Sequence, residues 1–319
     1  MYQQYFGLRA LPFSIAPDPH YLYLSNQHRE ALAHLLYGVG SGGGFVLLTG
    51  EVGTGKTTVC RCLLQQLPEK TEVAYIVNPC QSPVELLSTI SDELGVPGEP
   101  GNISIKYQTD RLTQHLLEAH GRGFRTVVLI DEAQNLDADV LEQIRLLTNL
   151  ETDDCKLLQL VLIGQPELND KLAQPGLRQF AQRVTARYHL RELDLRDTRA
   201  YINHRLAVVG LYEPLFPEWS VRKLYRVSGG VPRLINILCD RVMLGVYAEN
   251  AKAVEKHHLA GAIREVLPAA QAAAATDGSR GWFWVSLAIA LMLALAAYLS
   301  GTPEWLSIVR SAITSSSEG

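Results

Sequence analysis

The chain has 319 residues, 47% hydrophobic and 19% charged. That composition excludes wholesale disorder, and the length fits about two domains better than one compact core. The 29 basic and 33 acidic residues give a formal net charge of -4, against a generally basic nucleic-acid binder. Five cysteines, an odd number at irregular spacing, exclude a fully paired disulfide framework and point to a reducing compartment.

The N-terminal run MYQQYFGLRALPF carries no signal pattern. Pro17, Asp18 and Pro19 then make a turn, followed by Tyr21, Tyr23 and His28. Short apolar runs come next: FVLLT (45–49), VAYIV (73–77), TVVLI (126–130), LLQLVLI (157–163) and ARYHL (186–190). Runs of this kind suit strands buried on both faces of a parallel sheet, and the amphipathic stretches between them suit crossover helices. An α/β domain over 1–191 is predicted.

After Leu190 the strand-like runs stop. Helical patterns at 197–209, 217–228, 232–249 and 255–267 predict a small all-helical domain over 192–267. The Ala-rich stretch 268–281 has no apolar period and reads as a linker. From Trp282 to Ser300 the chain reads WFWVSLAIALMLALAAYLS, without a charge. As a helix this spans roughly 28 Å, the thickness of a bilayer's hydrocarbon core. Trp282 and Trp284 mark one interface and Tyr298 the other. A single transmembrane helix is predicted, with 301–319 as a short tail on the far side. Arg264 and Arg280 before the span, against Arg310 after it, favour a cytoplasmic N-terminal region.

The sharpest motif is Gly50, Glu51, Val52, Gly53, Thr54, Gly55, Lys56, Thr57, directly after the first apolar run and opening an apolar helix with Thr58. It matches G-x-x-x-x-G-K-[ST] in the strand–loop–helix setting that motif requires. Glycines let the backbone turn tightly, and the amides at a helix start face an anion that the dipole favours. Lys56 is suited to neutralise β- and γ-phosphate charge, and the Thr57 hydroxyl to ligate Mg²⁺. TVVLIDEAQ supplies the partner strand. Asp131 ends it and is suited to the magnesium shell, while Glu132 is suited to polarise water for attack on the γ-phosphate. ATP and Mg²⁺ are the expected ligands.

The pair GEVGTGKT and LIDEAQ, with helices behind, resembles AAA+ ATPases. More narrowly, YFGLRALPFSIAPDPHYLYLSNQHREALAHLLYGV, LVLIGQPEL, QRVTARYHL, AYINHRL and GGVPRLINILCDR are similar to the ExeA family, also called general secretion pathway protein A. The resemblance covers about residues 1 to 268. It implies an AAA+ P-loop fold with a helical lid. It also implies an ATPase anchored in a bacterial inner membrane that drives assembly of an envelope secretion apparatus of type II.

The same likeness implies a homo-oligomer with nucleotide at its interfaces, an envelope secretion partner, and no nucleic acid. Pilus or exopolysaccharide export, or a DNA-binding ATP switch of the transposition kind, are the alternatives. By resemblance Gln165 senses the γ-phosphate, although Asn, Ser or Thr is more usual there. Arg183 is favoured as an arginine finger, with Arg178 next and Arg187 also available. Arg233, just after Gly229, Gly230 and Pro232, touches the γ-phosphate from the lid, and the segment around Tyr21 packs near the adenine. Cys60 and Cys62 face different sides of one helix, and His257 and His258 have no evident partner ligands, so no zinc site is expected.

Overall fold

The computed structural model describes residues 2–268 apart from 17, 41–43, 78, 80–81, 99–103 and 153–155. Pro17, most of the linker, the span 282–300 and the tail 301–319 lie outside the described residues. In chain order the elements are α1 (Tyr2–Tyr5), α2 (Asn26–Gly40), β1 (Phe45–Gly50), α3 (Lys56–Gln66), β2 (Thr71–Ile76), α4 (Pro83–Glu93) and α5 (Ile105–Gly121). There follow β3 (Arg125–Ile130), α6 (Ala138–Leu147), β4 (Leu158–Gly164), α7 (Glu167–Leu172), α8 (Arg178–Gln182) and β5 (Val184–Leu190). Four further helices complete the set: α9 (Leu195–Val208), α10 (Glu218–Ser228), α11 (Pro232–Ala248) and α12 (Lys256–Val266).

All five apolar runs are strands, paired in parallel in the order β2-β3-β4-β1-β5. Strand β2 starts at Thr71 and stops at Ile76, so Val77, read from sequence as its last residue, is left outside and exposed. Successive side chains alternate sides, and the central strands β3, β4 and β1 are buried on both faces; at the edge, β5 alternates half-buried with exposed residues, so the two-sided burial expected of ARYHL does not hold there, because an edge strand has one open flank. Leu47, Val128, Ile130, Leu160 and Leu162 face a core shared with α4 to α8. Val46, Leu48, Val127, Leu129 and Val161 face the opposite core, closed by α2 and α3. Three layers result, and the α/β expectation holds.

Local chemistry sets several helix starts. Ser82 and Glu85 form a reciprocal capping box ahead of α4, with Pro83 in its first turn. Asp194 caps α9 by accepting from the Asp197 amide at 2.7 Å.

The N-terminal segment packs on the helices that follow the sheet. The Tyr2 hydroxyl donates to Asp240, and the Arg9 amide donates to the Val209 carbonyl at 3.0 Å. Phe13 meets the Phe216 ring edge-on at 6.0 Å. Arg205, buried on α9, donates to the carbonyls of Pro12 and Ser14 and to the Tyr201 hydroxyl, and stacks over Tyr21.

The chain partitions into one compact unit, Met1–Leu259, holding the sheet and helices α1 to α11, and a second, Ala260–Gly319, whose described part is the remainder of α12. Among the described residues no helix is long and apolar enough to cross a membrane.

Candidate functional site

The loop after β1 and the end of β3 lie side by side, because β1 and β3 flank β4 in the parallel sheet. Ligands of such sheets bind at the carboxyl ends of the strands. The loop has the shape its glycines permit. Gly53 (φ 81°) and Gly55 (φ 104°) adopt left-handed backbone conformations that side chains disfavour. A Cβ on Gly53 would lie 2.6 Å from that of Arg233, and one on Gly55 would lie 2.7 Å from His28 Nε2, so both faces of the loop are tightly covered.

Lys56 opens α3 and is buried; its ammonium donates to the carbonyls of Gly50 at 2.8 Å and Glu51 at 3.0 Å. Burial pulls the ammonium below its ordinary pKa, while Glu132, Asp131 and Glu51 act in the opposite sense. The Thr54 hydroxyl closes the turn on Glu51 O at 2.9 Å. Val52, Thr57 and Thr58 line an adjoining cleft of about 640 Å³, with Glu132 and Arg233.

Asp131 is buried. It accepts from the Thr57 hydroxyl at 3.2 Å, the Tyr75 hydroxyl at 3.3 Å and the Glu132 amide at 2.9 Å. Burial raises its pKa, and the neighbouring Glu132 charge adds to that, against the three donors. Hard oxygen donors, one an anion held away from water with neutral partners, suit a hard divalent cation. The residues present therefore fit Mg²⁺ at Thr57 and Asp131.

Glu132 is a non-glycine residue in the left-handed region (φ 52°, ψ 37°), a conformation costing about 1–3 kcal/mol that persists only where surroundings impose it. Its carboxylate accepts from Gln134 Nε2 at 2.6 Å and Gln165 Nε2 at 3.4 Å. Gln165 thus reaches Glu132 from the end of β4.

Arg233 stands exposed in the first turn of α11, its amide donating to Gly53 O at 3.3 Å, so this helix rests on the loop. His28 underpins the loop from the other side. Its Nε2–H donates to Thr54 O at 3.1 Å while Nδ1 accepts from Ser25 at 2.6 Å, and burial holds its pKa down despite the Thr54 bond. Tyr21 and Tyr23 line the same cleft, and both also pack on α9 residues.

The arginines of the α8–β5 region behave differently from one another. Arg183, the favoured finger, turns into its own chain and donates to Arg145 O at 3.3 Å and Thr148 Oγ1 at 3.1 Å, capping the carboxyl end of α6. Arg187 donates to Ala181 O at 2.8 Å. Arg178 is exposed at the start of α8.

Two further sequence readings meet new neighbours. Cys60 and Cys62 are both buried on α3. His257 and His258, expected without partner ligands, in fact meet Glu249, and their ligand atoms lie close enough to surround an ion. Their hydrogen bonds favour another reading. His258 Nδ1 accepts from the Glu255 amide at 3.0 Å, so Nε2 carries the proton and donates to Glu249 at 3.1 Å. A ligating histidine needs the reverse arrangement, with its second nitrogen donating.

Sequence reasoning missed Gln134 beside Glu132, Tyr75 on Asp131, Lys171, which donates to the Gln134 carbonyl, and Tyr201, Arg205 and Asn236, which line the cleft. Gln134 stood beside the acids in DEAQ and was within reach of inspection; Tyr75 and Lys171 reach the site only through the folding of β2 and α7 against it.

A family model described as an AAA domain matches residues 39–172. The chain is 55% identical over 266 residues to the general secretion pathway protein A of Aeromonas hydrophila, covering 83% of this chain and 48% of that protein. It therefore spans about half the length of the curated relative it matches. Among solved structures, Cdc6p from Pyrobaculum aerophilum superposes with a TM-score of 0.66 at 20% identity, covering 80% of this chain and 70% of that one. The Aeropyrum pernix ORC2 protein superposes at 0.60 and 16% identity, over 81% and 72% of the two chains. Drosophila ORC bound to DNA does so at 0.60 and 19%, over 96% and 82%. At these identities the structures share a fold with this chain. The matched part of the chain is therefore similar to general secretion pathway protein A and carries an AAA domain on a parallel α/β sheet.

Proposed function

We propose that the chain binds ATP with Mg²⁺ and hydrolyses it, and that it uses the cycle to drive assembly of an envelope secretion apparatus. The single observation carrying the chemical part is the 3.2 Å hydrogen bond from Thr57 to buried Asp131, which joins the phosphate-loop helix to the acidic strand end. In this reading the loop amides from Val52 to Thr57 cradle the phosphates, and Lys56 exchanges its carbonyl partners for phosphate oxygens. Thr57 and Asp131 hold Mg²⁺, which when bound neutralises phosphate charge. Glu132 orients a water for in-line attack and accepts its proton. Gln165 and Arg233 face the γ-phosphate from β4 and α11. Tyr21 and Tyr23 offer aromatic walls to the base.

The helices from Leu195 onward would serve as a lid that moves when the γ-phosphate leaves. A neighbouring copy would complete the site with an arginine. Arg178, being exposed, suits that role better than Arg183, which caps α6. The apolar run 282–300 supports a single-pass anchor in a bacterial inner membrane, with the ATPase region cytoplasmic. The secretion output rests on the 55% identical relative's name. Drosophila ORC bound to DNA is only 19% identical and supplies only the fold.

The test is phosphate release by the full chain in detergent, with Mg²⁺ and with a chelator. Release is expected only with the metal; equal release under chelation would overturn the scheme. Glu132→Gln should retain ATP affinity by calorimetry and lose turnover by about 100-fold or more.

A further inference from the structure

We propose that Gln134 is a positioning residue that ties the Glu132 carboxylate to the end of β4. The inference rests on the ATP-hydrolysing reading and deepens it. The side-chain amide of Gln134 spans two elements. Its Nε2 donates to Glu132 Oε2 at 2.6 Å, and its Oε1 accepts from the backbone amide of Gln165 at 3.0 Å. The orientation of that amide is not ambiguous, because a backbone N–H can only donate and a carboxylate accepts.

Gln134 is itself held. The Lys171 ammonium donates to Gln134 O and to Leu136 O, each at 2.7 Å, and so pins the turn from α7. The carboxamide also fills the space over the strand end, since a Cβ on Gly164 would lie 2.9 Å from Gln134 Oε1. Glu132 needs such a partner. Its backbone is in an unfavourable region, and the contact from Gln165 Nε2, at 3.4 Å, is much the longer of the two. A shift at the end of β4, where Gln165 would meet the γ-phosphate, is therefore passed through one rigid amide to the carboxylate that orients water.

Full-length wild type, Gln134→Ala, Gln134→Glu, Glu132→Gln and the double variant Glu132→Gln/Gln134→Ala are compared for ATP affinity, kcat and the pH profile of kcat. Gln134→Ala should lower kcat by about tenfold or more, as loss of a hydrogen-bonding partner to an active group does, with ATP affinity within about twofold. Gln134→Glu keeps an acceptor for the Gln165 amide but sets a second carboxylate against Glu132, so the acid limb of kcat should move to higher pH. In the Glu132→Gln background, Gln134→Ala should add almost nothing.

Variants with the kcat and pH profile of wild type would overturn the proposal. So would a Gln134→Ala loss of equal size in the Glu132→Gln background, or one matched by loss of ATP affinity. A wild-type chain without ATP turnover would instead overturn the hydrolytic reading, and this inference with it.

Discussion

Asp131 and Glu132 are adjacent in sequence yet held in opposite ways. Asp131 sits under the Thr57 and Tyr75 hydroxyls in a dry position, whereas Glu132 is thrown toward the cleft by a left-handed backbone. The buried carboxyl has its pKa raised, so the folded chain takes up this proton at higher pH than the unfolded chain does. The sign follows: its ionisation opposes folding, and stability recovers as pH falls through the raised value toward the ordinary carboxylate range. Asp131→Asn should accordingly raise the Tm at neutral pH and flatten its pH dependence, measured by thermal unfolding across pH. The same variant should lose Mg²⁺-dependent turnover by about 100-fold or more, because the metal loses its anionic ligand. A lower Tm at neutral pH would show that the carboxylate stabilises the fold. That both acids belong to one site was legible in DEAQ after an apolar strand. Their different burial was not, because it depends on Tyr75 from a neighbouring strand.

At the scale of elements, the central strands were the most readable feature, since burial on both faces leaves uninterrupted apolar runs, whereas the edge strand β5 keeps Thr185, Arg187 and His189 exposed. The arginines after α7 were the least readable. One sequence stretch presents Arg178, Arg183 and Arg187 alike, and only the packing of α6 decides that Arg183 caps a helix. The N-terminal segment was similarly ambiguous between cleft wall and core, and it turns out to be both. Its attachment runs through Arg205, whose guanidinium donates to two carbonyls of an irregular segment. Arg205→Met retains most of the stem but removes those donors, and should cost about 2–4 kcal/mol in denaturant unfolding. Limited proteolysis should then cut earlier around residues 8 to 16. Unchanged unfolding would mean that Phe13 and Tyr2 hold the segment without it.

For the molecule as a whole, the cleft is walled by parts far apart in sequence: Tyr23, the phosphate loop, Glu132 and the start of α11. A ligand bridging these parts stabilises all of them. At a concentration a hundredfold above its Kd, ATP with Mg²⁺ should add about 2.7 kcal/mol, or about 4 °C in Tm for a chain of this size. Thermal shift of the full chain checks this, and a chelator should shrink the gain. An ATP-independent Tm would remove the cleft as a nucleotide site.

The linear order of residues by itself determined the parallel α/β class, the phosphate loop, the acid pair and the general secretion pathway protein A likeness. Apolar periodicity and glycine spacing are local properties, written over a few residues at a time. Only the tertiary structure decided that Gln134 bridges Glu132 to β4, that His28 and Arg233 close on opposite sides of the loop, and that Arg183 is committed to α6. Each of these depends on hydrogen bonds or packing between segments that approach only after the sheet has ordered them, and the geometry of such contacts has no local signature.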